Sequence, residues 1–67
     1  MLYAEWSGKR VDVRMHTKQI VRTLHARDTV VGVQCSGNGL DDGMVAITMT
    51  NGKTDLYRAN GQIVRRG

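Results

Sequence analysis

The sequence predicts an all-β fold, a meander of short antiparallel strands that is completed by other chains or closed as a small barrel, in a single domain spanning residues 1–67. Three observations predict it. Apolar and β-branched residues alternate with polar ones over short stretches. Glycine-bearing turns punctuate those stretches at short intervals. One strand–turn–strand unit also occurs twice.

In the first half, Val11, Val13 and Met15 share one side of an extended segment, while Arg10, Asp12, Arg14 and His16 share the other. Residues 17–27 fit either a strand or a short helix, because Ile20, Val21 and Leu24 fall at helical spacing. Val30 to Cys35, Met44 to Thr50 and Lys53 to Tyr57 then read as strands, bounded by Ser36 to Gly39, Asp41 to Gly43 and Asn51-Gly52. Asn51-Gly52 predicts a tight type I′ hairpin, which needs positive φ at both central residues. Asn60-Gly61 repeats that chemistry one strand later. The expected core stripes are Val31, Val33 and Cys35 on one strand and Val45, Ile47 and Met49 on the next, with Thr54 and Leu56 opposing Asp55 and Tyr57.

The repeat sharpens this reading. SGKRVDVRMHTKQIVR from Ser7 and NGKTDLYRANGQIVR from Asn51 align with one inserted residue. Gly8-Lys9 matches Gly52-Lys53, Asp12 matches Asp55, and Gln19-Ile20-Val21-Arg22 matches Gln62-Ile63-Val64-Arg65. Each copy reads as turn, strand, turn, strand.

From His25 to Arg65 the chain resembles one blade of a WD40-like β-propeller. His25, Val30 with Val33, the Ser36 to Gly39 turn, Val45 to Met49, Asn51 to Tyr57 and Gly61 to Arg65 take the blade's places in order. Tyr57-Arg58 stands where that family has Trp-Asp, and Leu24-His25 where it has Gly-His. The first 24 residues resemble the second half of such a blade. The resemblance implies about one and a half blades per chain, completed by homo-oligomerisation. It implies nothing about function, since propellers serve many.

Size and composition narrow the rest. A chain of 67 residues buries only ~60% of its unfolded surface, so small scaffolds of this kind commonly lean on disulfides, metals or association. Cys35 is the single cysteine and closes no intrachain bridge. His16, His25 and Cys35 lack clustered ligand spacing, so no metal and no cofactor are expected. Self-association is the remaining stabiliser, and a homo-oligomer is the expected state. No apolar run approaches a membrane span and no export signal is evident at Met1 to Trp6; with a lone thiol this points to a cytoplasmic setting, a host cytoplasm if the chain is phage-encoded. The net charge of +4 favours acidic partners or nucleic acid.

No catalytic set emerges, and the chain is expected not to be an enzyme. Cys35 with His25 is the minimal nucleophile–base pair, yet Cys35 sits in an apolar stripe as a structural thiol would. Asp41-Asp42-Gly43 is ordinary turn chemistry. Gly37 to Gly39 resembles a fragment of a phosphate loop, but no helix follows it. The candidate ligand-binding residues are Arg10, Arg14, Arg22, Arg58, Arg65 and Arg66, whose guanidinium forks match phosphates and carboxylates. Trp6 and Tyr57 are the candidate stacking partners. The function expected is non-enzymatic binding of an acidic protein surface or an anionic, nucleotide-like small ligand. In size and charge the chain is similar to phage or mobile-element accessory proteins that inhibit or sequester components of host defence. Nucleic-acid binding by a small β-barrel is the alternative.

Overall fold

Seven strands form two antiparallel sheets in the computed structural model, which describes residues 1–39 and 41–67. The first sheet is the meander β1 (Tyr3–Ser7), β2 (Arg10–Arg14) and β3 (Ile20–His25). The second is the meander β4 (Val30–Ser36), β5 (Met44–Met49), β6 (Thr54–Arg58) and β7 (Ile63–Arg65). None of the described residues is helical. Residues 17–27, open between strand and helix in the sequence, contain β3. Ile20, Val21 and Thr23 are β-branched and favour the pleat. Pairing along β2 places Leu24 opposite Val11, which buries both.

The two sheets share one core. Leu2, Val11, Val13 and Leu24 from the first meet Val30, Val45, Ile47, Met49 and Tyr57 from the second. Full burial of side chains of this size contributes about 1.5–3 kcal/mol each. One expected stripe is wrong at its start. The β4–β5 register slips between Val30 and Gly32, so Val30 is the core residue and Val31 is thrown outward, 55% exposed. A bulge inserts one unpaired residue and reverses the faces beyond it. Simple alternation cannot foresee that.

The hairpins also differ from expectation in one respect. Gly52 has φ 82°, while Asn51 is not left-handed, so this is not a type I′ turn. Gly52 N donates to Met49 O and Met49 N to Lys53 O, the bonds of a type I turn closed by a left-handed residue. Arg58 to Gln62 repeats this geometry with Gly61 at φ 97°. Met15 to Gln19 repeats it a third time with Lys18 in the left-handed place, φ 72°. Asn51 and Asn60 each accept a backbone N–H two residues on, from Lys53 and Gln62. Lys18 thus occupies the position of Gly61 in the repeat without glycine's freedom. Holding an L-residue there costs about 1–2 kcal/mol, partly offset by glycine's greater unfolded entropy. Lys18→Gly is therefore expected to stabilise the fold by about 0.5–1 kcal/mol, read from the urea midpoint at unchanged slope. An unchanged or lower midpoint contradicts the assigned strain.

Every sheet edge is managed. The ends of β1 and β4 are tied to each other's flanks, Leu2 N to Gly37 O at 3.3 Å and Val30 N to Gly8 O at 2.8 Å. The outer edges β3 and β7 carry the same Gln-Ile-Val-Arg motif, and both register slips fall at its valine, Val21 and Val64. A bulge and a charged residue are two devices that blunt an edge against further pairing. Both devices lower the tendency of these edges to pair with another chain. Sedimentation at micromolar concentration is expected to show a folded monomer; a concentration-dependent shift to faster species would show that an edge remains available.

Candidate functional site

Sheet register sorts the candidate residues onto faces. The outer face of the first sheet is built of three cross-strand rows: Tyr3–Arg14–Ile20, Glu5–Asp12–Thr23 and Ser7–Arg10–His25. Glu5 and Asp12 are like charges directly opposite, an arrangement that destabilises a sheet unless compensated. Arginines compensate them. Arg14 Nε lies 2.6 Å from Glu5 Oε1, a charge contact without hydrogen-bond alignment, and Arg10 Nε donates to Asp12 Oδ1 at 3.1 Å. Thr23 Oγ1 donates to the same oxygen at 3.0 Å. Burial raises the Asp12 pKa, but the hydrogen bonds from Thr23 and Arg10 and the charges of Arg10 and Arg14 outweigh it and hold the carboxyl below its ordinary value. Glu5, Trp6, Ser7, Arg10, Asp12 and Arg14 line an open recess of about 240 Å³ on this sheet. Its two arginines are already neutralised by its two carboxylates.

The outer face of the second sheet is different. Its rows are Ser36–Met44–Arg58, then Gln34–Ala46–Leu56–Arg65, then Gly32–Thr48–Thr54. None of these ten residues is acidic. Gln34 to Ser36, Met44, Ala46 and Leu56 line a recess of about 180 Å³ whose floor is apolar. Arg58 and Arg65 are exposed on the same face, and among the described residues neither has a carboxylate within ion-pair distance. Thr48 and Thr54 hydroxyls share a hydrogen bond of 3.3 Å at the far side.

The six candidate arginines therefore do not form one patch. Arg10 and Arg14 stand on one sheet, Arg58 and Arg65 on the other. Arg22 lies on the core side of β3, its side chain beside Gly61, and Arg66 follows β7 in exposed chain. Tyr57 requires correction as a stacking residue. It is 8% exposed because its register opposite Val45 turns the ring into the core. Trp6 is accessible; its register opposite Val11 puts it on the core-facing side of the first sheet, yet it borders the recess that Arg10 and Arg14 also line and is remote from Arg58 and Arg65 on the other sheet.

The reactive candidates are occupied otherwise. Cys35 lies opposite Val45 in the second sheet and His25 opposite Arg10 in the first. Burial pushes the Cys35 thiol pKa up, which lowers the thiolate fraction. Asp42 Oδ1 accepts the amides of Asn38 and Gly39 at 3.2 and 2.9 Å, so those glycine-loop donors serve a carboxylate of the same loop. No group of three His, Cys, Asp or Glu side chains suits a metal among the described residues.

One polar feature escaped the sequence reading. Asp55 has no accessible surface, and Arg27, in the link between the sheets, grips it through Nε at 2.9 Å and an Nη2 contact of 2.6 Å. Gly67 N adds a third hydrogen bond at 3.1 Å. The Arg27 hydrogen bonds lower the Asp55 pKa against the opposing effect of burial, helped by the Gly67 amide and the charges of Arg27 and Arg66. The alternation already placed Asp55 with Tyr57 on one stripe, and that was the available signal.

No protein-family profile, curated protein or solved structure matches this chain.

Proposed function

We propose that the chain is a non-enzymatic binding protein that takes an anionic group on the outer face of its second sheet. The observation that carries this reading is the contrast between the two faces. Arg10 and Arg14 are paired with carboxylates, whereas Arg58 and Arg65 stand uncompensated beside an apolar recess. An arginine fork without an internal partner is available for two parallel hydrogen bonds to phosphate or carboxylate. The net charge of +4 draws anions toward the surface as a whole, and this face gives them a specific place.

The test is calorimetric titration with tripolyphosphate at low salt, using wild type, Arg58→Ala/Arg65→Ala and Arg10→Ala/Arg14→Ala. The first pair is expected to weaken binding by at least about tenfold, corresponding to roughly 1.4 kcal/mol. The second pair is expected to change it little, because those arginines already have partners. Equal losses in both pairs would reduce the reading to non-specific charge. Single-stranded oligonucleotide affinity with a steep salt dependence, lost in both pairs alike, would favour nucleic acid instead.

A further inference from the structure

Resting on that reading, we infer that the second sheet's outer face is a protein-docking surface, and that its partner is an acidic protein segment inserting one large apolar side chain. The face has the anatomy of an interface. Its centre is apolar, with Met44, Ala46 and Leu56 half-buried and no other segment among the described residues covering the recess they line. Its rim is polar and uncharged along β4, from Gln34 and Ser36, and at the Thr48–Thr54 end. Its β6–β7 side is cationic, from Arg58 and Arg65. An apolar centre inside a polar rim, with Met and Arg enriched, is how protein interfaces are composed, and buried anchors at the centre carry most of their energy.

Charge complementarity chooses among occupants. The ten residues of the face include two arginines and no carboxylate, so an acidic segment is attracted to its β6–β7 side, where Arg58 and Arg65 stand. A second copy of this chain carries the same net charge of +4; its Glu5, Asp12 and Asp55 are engaged with Arg14, Arg10 and Arg27, and its other carboxylates, Asp28, Asp41 and Asp42, sit in the turns between strands, not on an extended segment. The recess also lies off the arginine side. It leaves room for an apolar anchor on Leu56 and Ala46 while flanking Asp or Glu residues reach Arg58 and Arg65. Alternation along an extended partner segment supplies that pattern without strain.

Selection of random twelve-residue displayed peptides against the full chain tests this. The expected winners carry one large apolar residue flanked by Asp or Glu. A synthetic winner is expected to bind at least tenfold more weakly to Arg58→Ala/Arg65→Ala and to Leu56→Asp. Met44→Lys serves as the second recess variant if Leu56→Asp fails to fold by circular dichroism. Winners without acidic residues, or winners that bind wild type and the recess variants equally, overturn the partner assignment. Tripolyphosphate binding that depends on Arg58 and Arg65, with no peptide selected, overturns the protein partner and leaves the anion site standing. Loss of neither ligand in the arginine variant overturns both.

Discussion

Replacing Arg27 with methionine is expected to lower the melting temperature by about 10 °C or more, because it strands a carboxylate that has no contact with water. The methylene stem of methionine fills much of the space that the arginine stem occupied, so lost packing is a small part of the effect. What remains is Asp55 at 0% exposure, with the Gly67 amide and the charge of Arg66 to hold it ionised and no guanidinium fork against it. Arg27→Lys is expected to recover part of the loss, since an ammonium restores the charge without the two-pronged fork. Adding Asp55→Asn to the methionine variant is expected to recover stability as well, because the uncompensated charge is gone. A methionine variant that melts within two or three degrees of wild type would mean that water reaches Asp55 after all.

The same pair sets the acid limb of stability. Folded Asp55 holds its proton less readily than unfolded Asp55, so in acid the unfolded chain binds more protons. The stabilisation is complete above the ordinary carboxylate pKa of 3.8 and drains away as pH falls through that value toward the lower folded one. Asp12 acts in the same direction. Thermal melts are expected to be flat from neutral pH down to about pH 5 and to fall below it, with a shallower fall in Asp55→Asn. An equal acid fall in that variant would place the titrating group elsewhere.

Periodicity found β2, β4, β5 and β6, which alternate and lie between glycine turns, and the repeat marked β7; β3 stood open between strand and helix, and no expectation covered β1. Periodicity failed where one residue breaks the count. Val31 was placed in the core and is outside, because the bulge after Val30 shifts the pleat by one position. The repeat proved deeper than its letters: Val21 and Val64 stand at equivalent bulges, and Lys18 and Gly61 both take the left-handed backbone. The arginines were legible as a class but not as a site. Which of them is free depends on cross-strand neighbours, and a linear sequence does not display that Arg14 faces Glu5 while Arg65 faces Leu56. Asp55 was read only as a polar residue in a strand, since its partner Arg27 lies 28 positions away.

Gly43 shows the same limit from the other side, and its substitution by alanine is expected to be the second severe one. In the sequence it closes an Asp-Asp-Gly turn, where glycine is ordinarily wanted for positive φ. Its φ is not positive in the structure. The need is for space instead. A β-carbon at this buried position would meet the Gly39 carbonyl oxygen, and would lie 2.5 Å from Leu2 Cδ1 and 2.7 Å from Ala59 Cβ. Gly43 N donates to that same Gly39 oxygen, and its own carbonyl accepts Ala59 N at 2.9 Å. The loop before β5, the segment leading into β1 and the turn after β6 therefore converge on one residue with no slack. Leu2 can rotate away, but the Gly39 backbone cannot move without losing the hydrogen bond it accepts. Overpacking of this kind costs about 1–3 kcal/mol, against a total stability of roughly 3–10 kcal/mol for a chain of this length. Gly43→Ala is expected to melt about 5–20 °C lower than wild type. Leu2→Ala in the same chain should relieve only the side-chain part of the clash. Full rescue by Leu2→Ala would show that the backbone contact with Gly39 is not the limiting one.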